Sequence, residues 1–394
     1  MQDAVRLPKL PVGVFEHPPD DRTGSDCKTV DGTRQSNVTI MKILHWLHTR
    51  NWGGLEKFVV LFACELQKKN CKNTIFFSQR NGIADSRELL QNSSVELRSG
   101  NHLDLWQTLR EQSPDAIIHY TGTTMHAAWL AGLLKWPKNH IRIFMHGFGR
   151  KHDIYHHYLY QKFNCVFPTR LTNSQSKERI PLPERCRHFQ YFGVPLARKV
   201  QKKSWHSPLT LVSLSRIEPA KRICELVEAV VNAFQNNPKL QERFVLKIFG
   251  KPHDYDTKGQ EYLQQIQQTV PQHLTTKILF PGFTNEPDLI LEQSHFLFFT
   301  SQNEFYGFSL LEALATGTPT ITVRQGSFAE LNQENYGRFI DLENPRSVEK
   351  VLEEINAMSE LEYETLQENA RNRAEAEFDI SKTTDQFRQW LITH

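Results

Sequence analysis

The sequence predicts an α/β fold of two successive domains, each a parallel sheet with helices on both faces. The chain of 394 residues is longer than one hydrophobic core usually serves, so two domains are expected. From residue 41 onward, short apolar segments alternate with amphipathic ones, which is typical of β-α units. A polar, basic segment at 195–204 interrupts this alternation and divides it into two runs.

Residues 1–40 precede the first predicted strand and are expected to be disordered. They are rich in Pro, Asp, Gly, Thr and Arg, and they lack the apolar core of a signal peptide. Because the first strand begins near Met41, we expect an N-terminal extension, or a product of an upstream translation start, that adds nothing to the fold.

The first domain is predicted at 41–197, with elements assigned from apolar runs and helical periodicity. Its strands are predicted at 42–48, 74–78, 95–97, 116–120, 141–145 and 187–192. Its helices are predicted at 55–68, 102–111 and 125–134.

A linker is predicted at 198–204, followed by a second domain at 205–378 and a closing helix within 379–394. The closing helix is placed at 381–391 because Phe387, Trp390 and Leu391 share one face. Strands of the second domain are predicted at 209–215, 244–250, 277–280, 295–300 and 320–323, and its first helix at 221–236.

The composition narrows the functional class. A hydrophobic content of 39% and a charged content of 23% are ordinary for a soluble globular protein. The net charge of +3 is too small to indicate a nucleic-acid partner. Six scattered cysteines without a CxxC pair indicate reduced thiols in a cytoplasmic protein, and no apolar run approaches the ~20 residues that span a bilayer.

Local basic residues leave peripheral membrane contact open. Such a contact would be with an anionic surface on the inner face of the cytoplasmic membrane, and solvated surface charge is the alternative. The residues concerned are Lys135, Lys138, Arg142, Arg150 and Lys151.

Two carboxylates in the second half of the chain carry the strongest functional signal. Glu304 and Glu312 are eight positions apart, and a helix capped by Ser309 is expected to begin between them. Glu304 then lies at a strand's carboxyl end, where ligands bind in open α/β sheets. The N–H groups of Gly307, Phe308 and Ser309 suit a phosphate or a polar sugar edge. The structural alternative is that both acids only complement the helix dipole.

Two cations flank the first strand-to-helix turn of the second domain. Arg216 and Lys221 can converge on one anion, Arg as a bidentate fork and Lys as a point charge. In the first domain, Gly53 and Gly54 follow the first strand and allow backbone N–H groups to approach a diphosphate; a tight turn is the alternative. The GxGxxG fingerprint is absent from the sequence, which argues against a nicotinamide or flavin enzyme.

Together these motifs resemble those of retaining glycosyltransferases of the GT-B fold, family 4, also called glycosyl transferases group 1. The resemblance covers roughly 41–394 and is sharpest in the Glu-x7-Glu segment 304–312. The loop 53–56 matches Gly-Gly-x-Glu, and 215–222 matches Gly-Arg-Leu-x-x-x-Lys-Gly with both glycines replaced. The resemblance implies two Rossmann-like domains facing a central cleft, with a C-terminal helix crossing back to the first domain.

The resemblance also implies a role for each charged residue. Arg216 and Lys221 would hold the donor diphosphate, Glu304 would hold sugar hydroxyls and orient the anomeric carbon, and Glu312 would take the ribose hydroxyls. His146, after the strand at 141–145, would contact the reacting sugar; a structural histidine is the alternative.

Weaker matches in the resemblance concern the nucleotide base and the domain junction. Gly250 and Gly282 resemble loops that cradle the base. Phe192 and Pro195 stand where the family motif has Asn and Asp, a departure that concerns packing at the cleft.

The implied activity is transfer of a sugar, hexose-like, from a UDP- or GDP-sugar to a hydroxyl acceptor with retention. No metal or other cofactor is expected, because cations already face the diphosphate and no suitable Asp-x-Asp motif is present. The acceptor is expected to be a carbohydrate or lipid-linked saccharide of bacterial surface polysaccharide or lipopolysaccharide core synthesis. The alternatives are a GT-B sugar-nucleotide epimerase or phosphorylase, and a catalytically silent binding scaffold.

Overall fold

The structure is a computed structural model, and it forms two parallel sheets covered by helices, as predicted. Residues 1–39 of the predicted extension at 1–40 and the loop that carries His146 lie outside the described residues. The residues described are 40–48, 52–78, 83–130, 139–145, 160–179, 182–196, 199–206, 208–252, 257–302, 304 and 306–394.

The first sheet has the strand order β3-β2-β1-β4-β5-β6-β7, with every neighbouring pair parallel. Its order reverses between β1 and β4, and this reversal opens a crevice at the carboxyl ends of the strands. The strands are β1 Met41–Leu47, β2 Cys71–Phe77, β3 Glu96–Ser99, β4 Ala116–His119, β5 Asn139–Ile143, β6 Asn164–Phe167 and β7 Arg187–Phe189. The helices described between them are α1 Gly54–Lys68, α2 Ile83–Leu90, α3 His102–Gln112, α4 Gly122–Leu130 and α5 Arg170–Arg179.

The second sheet has the order β10-β9-β8-β11-β12-β13, again parallel throughout. Its strand order reverses between β8 and β11. The strands are β8 Leu209–Leu214, β9 Phe244–Phe249, β10 Ile278–Gly282, β11 Phe296–Phe299, β12 Thr320–Val323 and β13 Gly337–Ile340. The helices are α6 Ile223–Asn236, α7 Pro238–Arg243, α8 Thr257–Gln268, α9 Pro287–Glu292, α10 Phe308–Ala315, α11 Phe328–Leu331, α12 Ser347–Ala357, α13 Glu360–Glu377 and α14 Ile380–Thr393.

The predicted strands and helices are present, with ends displaced by a few residues. The sequence did not predict β6 and β13, which are only four residues long. It also did not predict the helices α2, α5, α7, α8, α9, α11, α12 and α13, of which α5 is almost entirely polar. Short or polar segments give little periodicity, and neighbouring strands decide their conformation.

The C-terminal helix α14 crosses back onto the first domain, as predicted. Its Phe387 ring packs edge-on against Phe62 of α1 at 5.1 Å. The Lys69 ammonium at the end of α1 lies 2.7 Å from the Asp385 carboxylate. The buried Thr383 hydroxyl accepts a 3.0 Å hydrogen bond from the Gly193 N–H. These contacts hold α14 against the first domain.

The predicted linker packs closely on the second domain. Lys203 is buried, and its ammonium donates to the Thr318 hydroxyl at 2.7 Å and to the Leu291 carbonyl at 3.2 Å. Trp205 stacks on Tyr363 with ring centroids 4.3 Å apart. The basic composition of this segment therefore does not mean that all of its cations are solvated. The exact domain boundaries stay predictions.

One residue of the predicted membrane surface is misplaced. Arg142 is buried on strand β5, where its guanidinium donates to the His119 carbonyl at 3.1 Å. It cannot face a membrane, because β5 is an inner strand of the parallel sheet and consecutive residues on both of its faces are buried. Lys135, Lys138, Arg150 and Lys151 lie outside the described residues. Among the helices of the described part, none combines the length and apolarity needed to cross a bilayer.

Candidate active site

The two most strongly predicted motifs lie beside each other because β8 and β11 are neighbouring strands. The turn with Lys221 follows β8, and Glu304 follows β11. Backbone contacts join the turn to the residues after β11: the Thr300 hydroxyl donates to the Lys221 carbonyl at 2.8 Å, and the Gln302 N–H donates to the Ala220 carbonyl at 2.7 Å. As a result, the Lys221 ammonium lies 2.5 Å from the Glu304 carboxylate.

Arg216 lies at the start of the same turn. Its guanidinium is 3.4 Å from the Glu218 carboxylate and its side chain is 45% exposed. Unlike Lys221, which is largely buried, Arg216 is therefore partly open to solvent at the carboxyl edge of the sheet.

The predicted glycine loops meet the backbone of this turn. A Cβ at Gly250, where φ is +148°, would lie 1.8 Å from the Ser215 carbonyl oxygen, so no side chain fits there. The Gly250 N–H donates to the Gly282 carbonyl at 2.9 Å. Next to Gly282, the ring of Phe283 is exposed, with the Lys251 ammonium 5.5 Å from its centroid. The ends of β8, β9 and β10 thus form one continuous edge.

Helix α10 begins two residues earlier than expected. Its N-cap is Gly307, with φ of +74°, and not Ser309, which lies inside the first turn. Gly307 sits between the rings of Phe299 and Phe328, with its ideal Cβ position 3.3 and 3.2 Å from them. Left-handed backbone and aromatic crowding both favour glycine there, so the side-chain cap was wrong. The exposed first-turn N–H groups of such a helix still favour an anion.

Glu312 contacts the first domain. Its carboxylate lies 2.7 Å from the ammonium of Lys57, and both side chains are largely buried. Burial raises the pKa of Glu312, and the charge and hydrogen bond of Lys57 oppose that rise. Burial lowers the pKa of Lys57, but Glu312 and Asp288 outweigh it and leave the pKa raised. Lys57 is therefore charged at neutral pH.

Aromatic contacts bring the N-terminal ends of α1 and α10 together. Phe308, the first residue of α10, stacks on Phe58 of α1 with ring centroids 5.0 Å apart. A Cβ at Gly54 would lie 3.5 Å from the Phe308 ring, and Gly53 caps α1 just before it. The Tyr306 hydroxyl accepts from the Phe192 N–H at 2.6 Å and donates to the Phe192 carbonyl. The first-domain glycine turn thus lies beside the start of α10.

A second cross-domain contact was missed from the sequence. Glu330 on α11 accepts from the Arg170 and Leu171 N–H groups at the start of α5, both at 2.9 Å. Its Oε1 also lies 2.5 Å from the Tyr191 hydroxyl. A carboxylate at a helix N-terminus is favourable, but a lone glutamate 160 positions away in the chain gives no sequence signal for it.

The site residues thus divide into groups. Glu304 and Lys221 are brought into contact, Glu312 is paired with Lys57, and Gly250 and Gly282 adjoin the Arg216 turn. His146 lies outside the described residues, so its predicted place at the site is untested. Among the described residues, no cluster of three or more His, Cys, Asp or Glu side chains is arranged to hold a metal ion.

Two parallel-sheet domains whose carboxyl edges carry these groups define the GT-B glycosyltransferase fold class. A sequence model described as glycosyl transferases group 1 matches residues 197–374. That region is therefore similar to the glycosyl transferases group 1, and it contains Arg216, Lys221, Glu304 and Glu312. Comparison with curated proteins gives no match.

Solved structures support the fold. Alr3699/HepE from Anabaena, in complex with UDP-glucose, is 16% identical with a TM-score of 0.73, over 90% of this chain and 100% of that chain. A glycosyltransferase from Rickettsia africae is 14% identical with a TM-score of 0.74, over 89% and 97%. The lipopolysaccharide outer core galactosyltransferase WaaB is 16% identical with a TM-score of 0.62, over 90% and 99%. At such identities the likeness concerns the fold.

Proposed function

We propose that this protein transfers a glycosyl group from a nucleoside-diphosphate sugar to a hydroxyl acceptor with retention of anomeric configuration. The observation that carries the proposal is the contact between Lys221 and Glu304 at the switch point of the second sheet, in the turn that also carries Arg216. Arg216 and Lys221 supply positive charge for a leaving diphosphate, and Glu304 lies within hydrogen-bond distance of Lys221. Such preorganised charge stabilises a leaving group in a transition state.

A bound donor could replace the ion pair between Lys221 and Glu304 with its own contacts to both side chains. In this structure each group neutralises the other at 2.5 Å. A bound diphosphate would take the Lys221 ammonium, and Glu304 would then be available to accept hydrogen bonds from sugar hydroxyls. The start of α10, at Gly307, Phe308 and Ser309, adds a helix N-terminus that favours the anion.

The reaction breaks the bond between the anomeric carbon and the diphosphate oxygen and forms a bond from that carbon to the acceptor oxygen. The acceptor proton passes to the departing phosphate oxygen. For retention, the acceptor attacks from the face that the leaving group vacates. Glu304 orients the sugar for this attack and forms no covalent bond to it.

The nucleoside would occupy the edge formed by β8, β9 and β10. Glu312 would accept a ribose hydroxyl, and the exposed Phe283 beside Gly282 offers an aromatic face for the base. The close approach of the Ser215 carbonyl to Gly250 leaves no room for a side chain at that position. A uridine or guanosine donor is proposed.

The acceptor is proposed to be a carbohydrate or lipid-linked saccharide in bacterial surface polysaccharide or lipopolysaccharide core synthesis. The resemblance to family 4 supports this, and one fold relative is described as a lipopolysaccharide outer core galactosyltransferase. Contact with an anionic membrane surface remains part of the proposal.

The test is a panel of UDP- and GDP-sugars incubated with the purified protein, following release of nucleoside diphosphate and the melting temperature. One donor that is slowly hydrolysed and raises the melting temperature supports the proposal and identifies the sugar. Lys221→Met should abolish both effects, whereas Lys202→Met, which removes an exposed lysine paired with Glu364, should leave them intact. Nuclear magnetic resonance of the product with an added acceptor then reports its anomeric configuration.

No shift in melting temperature with any nucleotide or nucleotide sugar at millimolar concentration would refute the donor site. The scaffold alternative would then be preferred. Donor turnover without a saccharide acceptor, giving an altered nucleotide sugar, would instead favour the epimerase alternative.

A further inference from the structure

Lys57 is the first-domain residue that reaches the proposed nucleoside site. It lies in the first turns of α1, directly after the Gly53–Gly54 turn, and its ammonium is 2.7 Å from Oε1 of Glu312. The two residues are 255 positions apart in the chain. Their contact therefore exists only when the two domains stand together.

Helix stability does not explain a lysine at this position. A cation near a helix N-terminus is opposed by the helix dipole, which favours acidic residues there. Burying an ion pair also adds little net stability, because desolvation offsets the attraction. The neighbouring Phe58–Phe308 stack already joins the two helices without charge. Lys57 therefore calls for a role other than packing.

The surroundings of Glu312 indicate what that role is. Asp288 of α9 is the other charged group that acts on Glu312, and it opposes ionisation. From α13, Arg371 reaches the Ala315 carbonyl at the opposite end of α10 and pairs with Glu375. Strands β11 and β12 contribute no charged side chain. Among the described residues, Lys57 is thus the cation that acts on the Glu312 carboxylate.

We propose that Lys57 is a positioning residue of the donor site, which keeps Glu312 ionised and oriented from the opposite domain so that its second oxygen can accept a ribose hydroxyl. This rests on the proposed function of Glu312. Burial alone raises the pKa of this carboxyl, and a protonated carboxyl is a poorer acceptor. The nucleoside site of the second domain is then complete only in the presence of the first.

The experiment measures the dissociation constants of UDP and GDP by calorimetry for the wild type, Lys57→Met and Lys57→Arg across the neutral pH range. For the nucleotide that binds, K57M should bind about tenfold more weakly, the loss expected for one charge-assisted hydrogen bond. K57R should restore most of the affinity. The ratio of K57M to wild-type dissociation constants should shrink as pH rises, because Glu312 without its cation has a higher pKa.

Two controls separate this role from a structural one. Lys69→Met removes another lysine, at the end of α1, whose ammonium contacts Asp385 and Ser381 of α14. This variant should leave nucleotide binding unchanged. Glu312→Gln in the K57M background should abolish the pH dependence. If K57M does not fold, Lys57→Gln serves for the same measurement.

Equal or tighter binding by K57M would overturn the role of Lys57 while leaving the donor site intact. A loss that is independent of pH and not restored by K57R would also overturn it, because that pattern indicates a packing defect. If the wild type binds neither UDP nor GDP, the proposed function fails and this inference fails with it.

Discussion

The two domains have the same architecture, a parallel sheet covered by helices, but they place different chemical groups at the cleft. In each sheet the strand order reverses once, and a turn follows the strand at that point. After β8, this turn carries Arg216 and Lys221, whereas after β1 it carries Gly53 and Gly54. The described part of the first domain contributes the backbone of Gly54 beside Phe308, the Phe58 ring and the Lys57 ammonium. Under the proposed function, the second domain would supply the donor chemistry and the first domain would complete the site.

The domains also differ in their buried ionisable groups. In the first, His45 is buried between Tyr120 and Asn73, and burial lowers its pKa to about 4. In the second, burial lowers the pKa of Lys203 to about 7, although Glu292 opposes this. Each domain therefore has its own dependence of stability on pH.

The largest expected effect concerns the chemistry assigned to the second domain. Glu304→Gln should reduce the rate of sugar transfer at least about 100-fold, because a transition-state contact is lost. Affinity for the nucleoside diphosphate should be kept or improved, since Lys221 loses a carboxylate that competes with the diphosphate. Transfer assays and calorimetry test this, with Glu353→Gln as an exposed control. An unchanged rate would remove Glu304 from the mechanism.

Matched glycine substitutions should distinguish the two turns. Gly250→Ala should destabilise the fold by about 3 kcal/mol, because its Cβ meets a backbone oxygen and its φ is positive. Gly53→Ala should change stability by less than about 1 kcal/mol, because its backbone is extended and its Cβ meets only the flexible end of Glu56. Denaturant unfolding measures both. Equal losses would contradict the difference between the turns.

The cross-domain contact of Glu330 should contribute less than Gly250. Glu330→Ala should cost about 2 kcal/mol, since two backbone N–H groups and the Tyr191 hydroxyl lose their acceptor. Glu334→Ala removes a nearby exposed acid paired with exposed Arg324 and should cost less than about 0.5 kcal/mol. Chemical denaturation of both variants gives the comparison. A cost for Glu330 no greater than for Glu334 would show that the domains are joined elsewhere.

The last expected effect, which is small per pH unit, concerns the pH dependence of stability. The pKa of Lys203 is lower in the folded state than in the unfolded state, so the unfolded chain binds more protons above about pH 7. Stability of the wild type relative to Lys203→Met should therefore rise with pH above 7, by at most about 1.4 kcal/mol per pH unit. Unfolding free energies between pH 7 and about 9 measure this difference. A constant difference would mean that Lys203 stays charged in the folded state.

The candidate site was only partly predictable, and its residues show why. Glu304 and Lys221 were identified because each follows a strand in a motif that local sequence specifies. The residues that make contacts between the domains, Lys57 and Glu330, were not identified. No spacing in the chain relates Lys57 to Glu312 or Glu330 to α5. The N-cap of α10 was placed at Ser309, since crowding of Gly307 by Phe299 and Phe328 depends on β11 and α11 together.

The sequence by itself determined the alternation of strands and helices, the two parallel sheets and the charged residues of the donor motif. It did so because hydrophobic periodicity and turn residues act over short distances along the chain. Only the tertiary structure decided that Arg142 and Lys203 are buried, that Lys57 pairs with Glu312, and that Glu330 binds the start of α5. Those outcomes depend on which surfaces meet after folding, when burial and charge pairing are set by residues far apart in sequence.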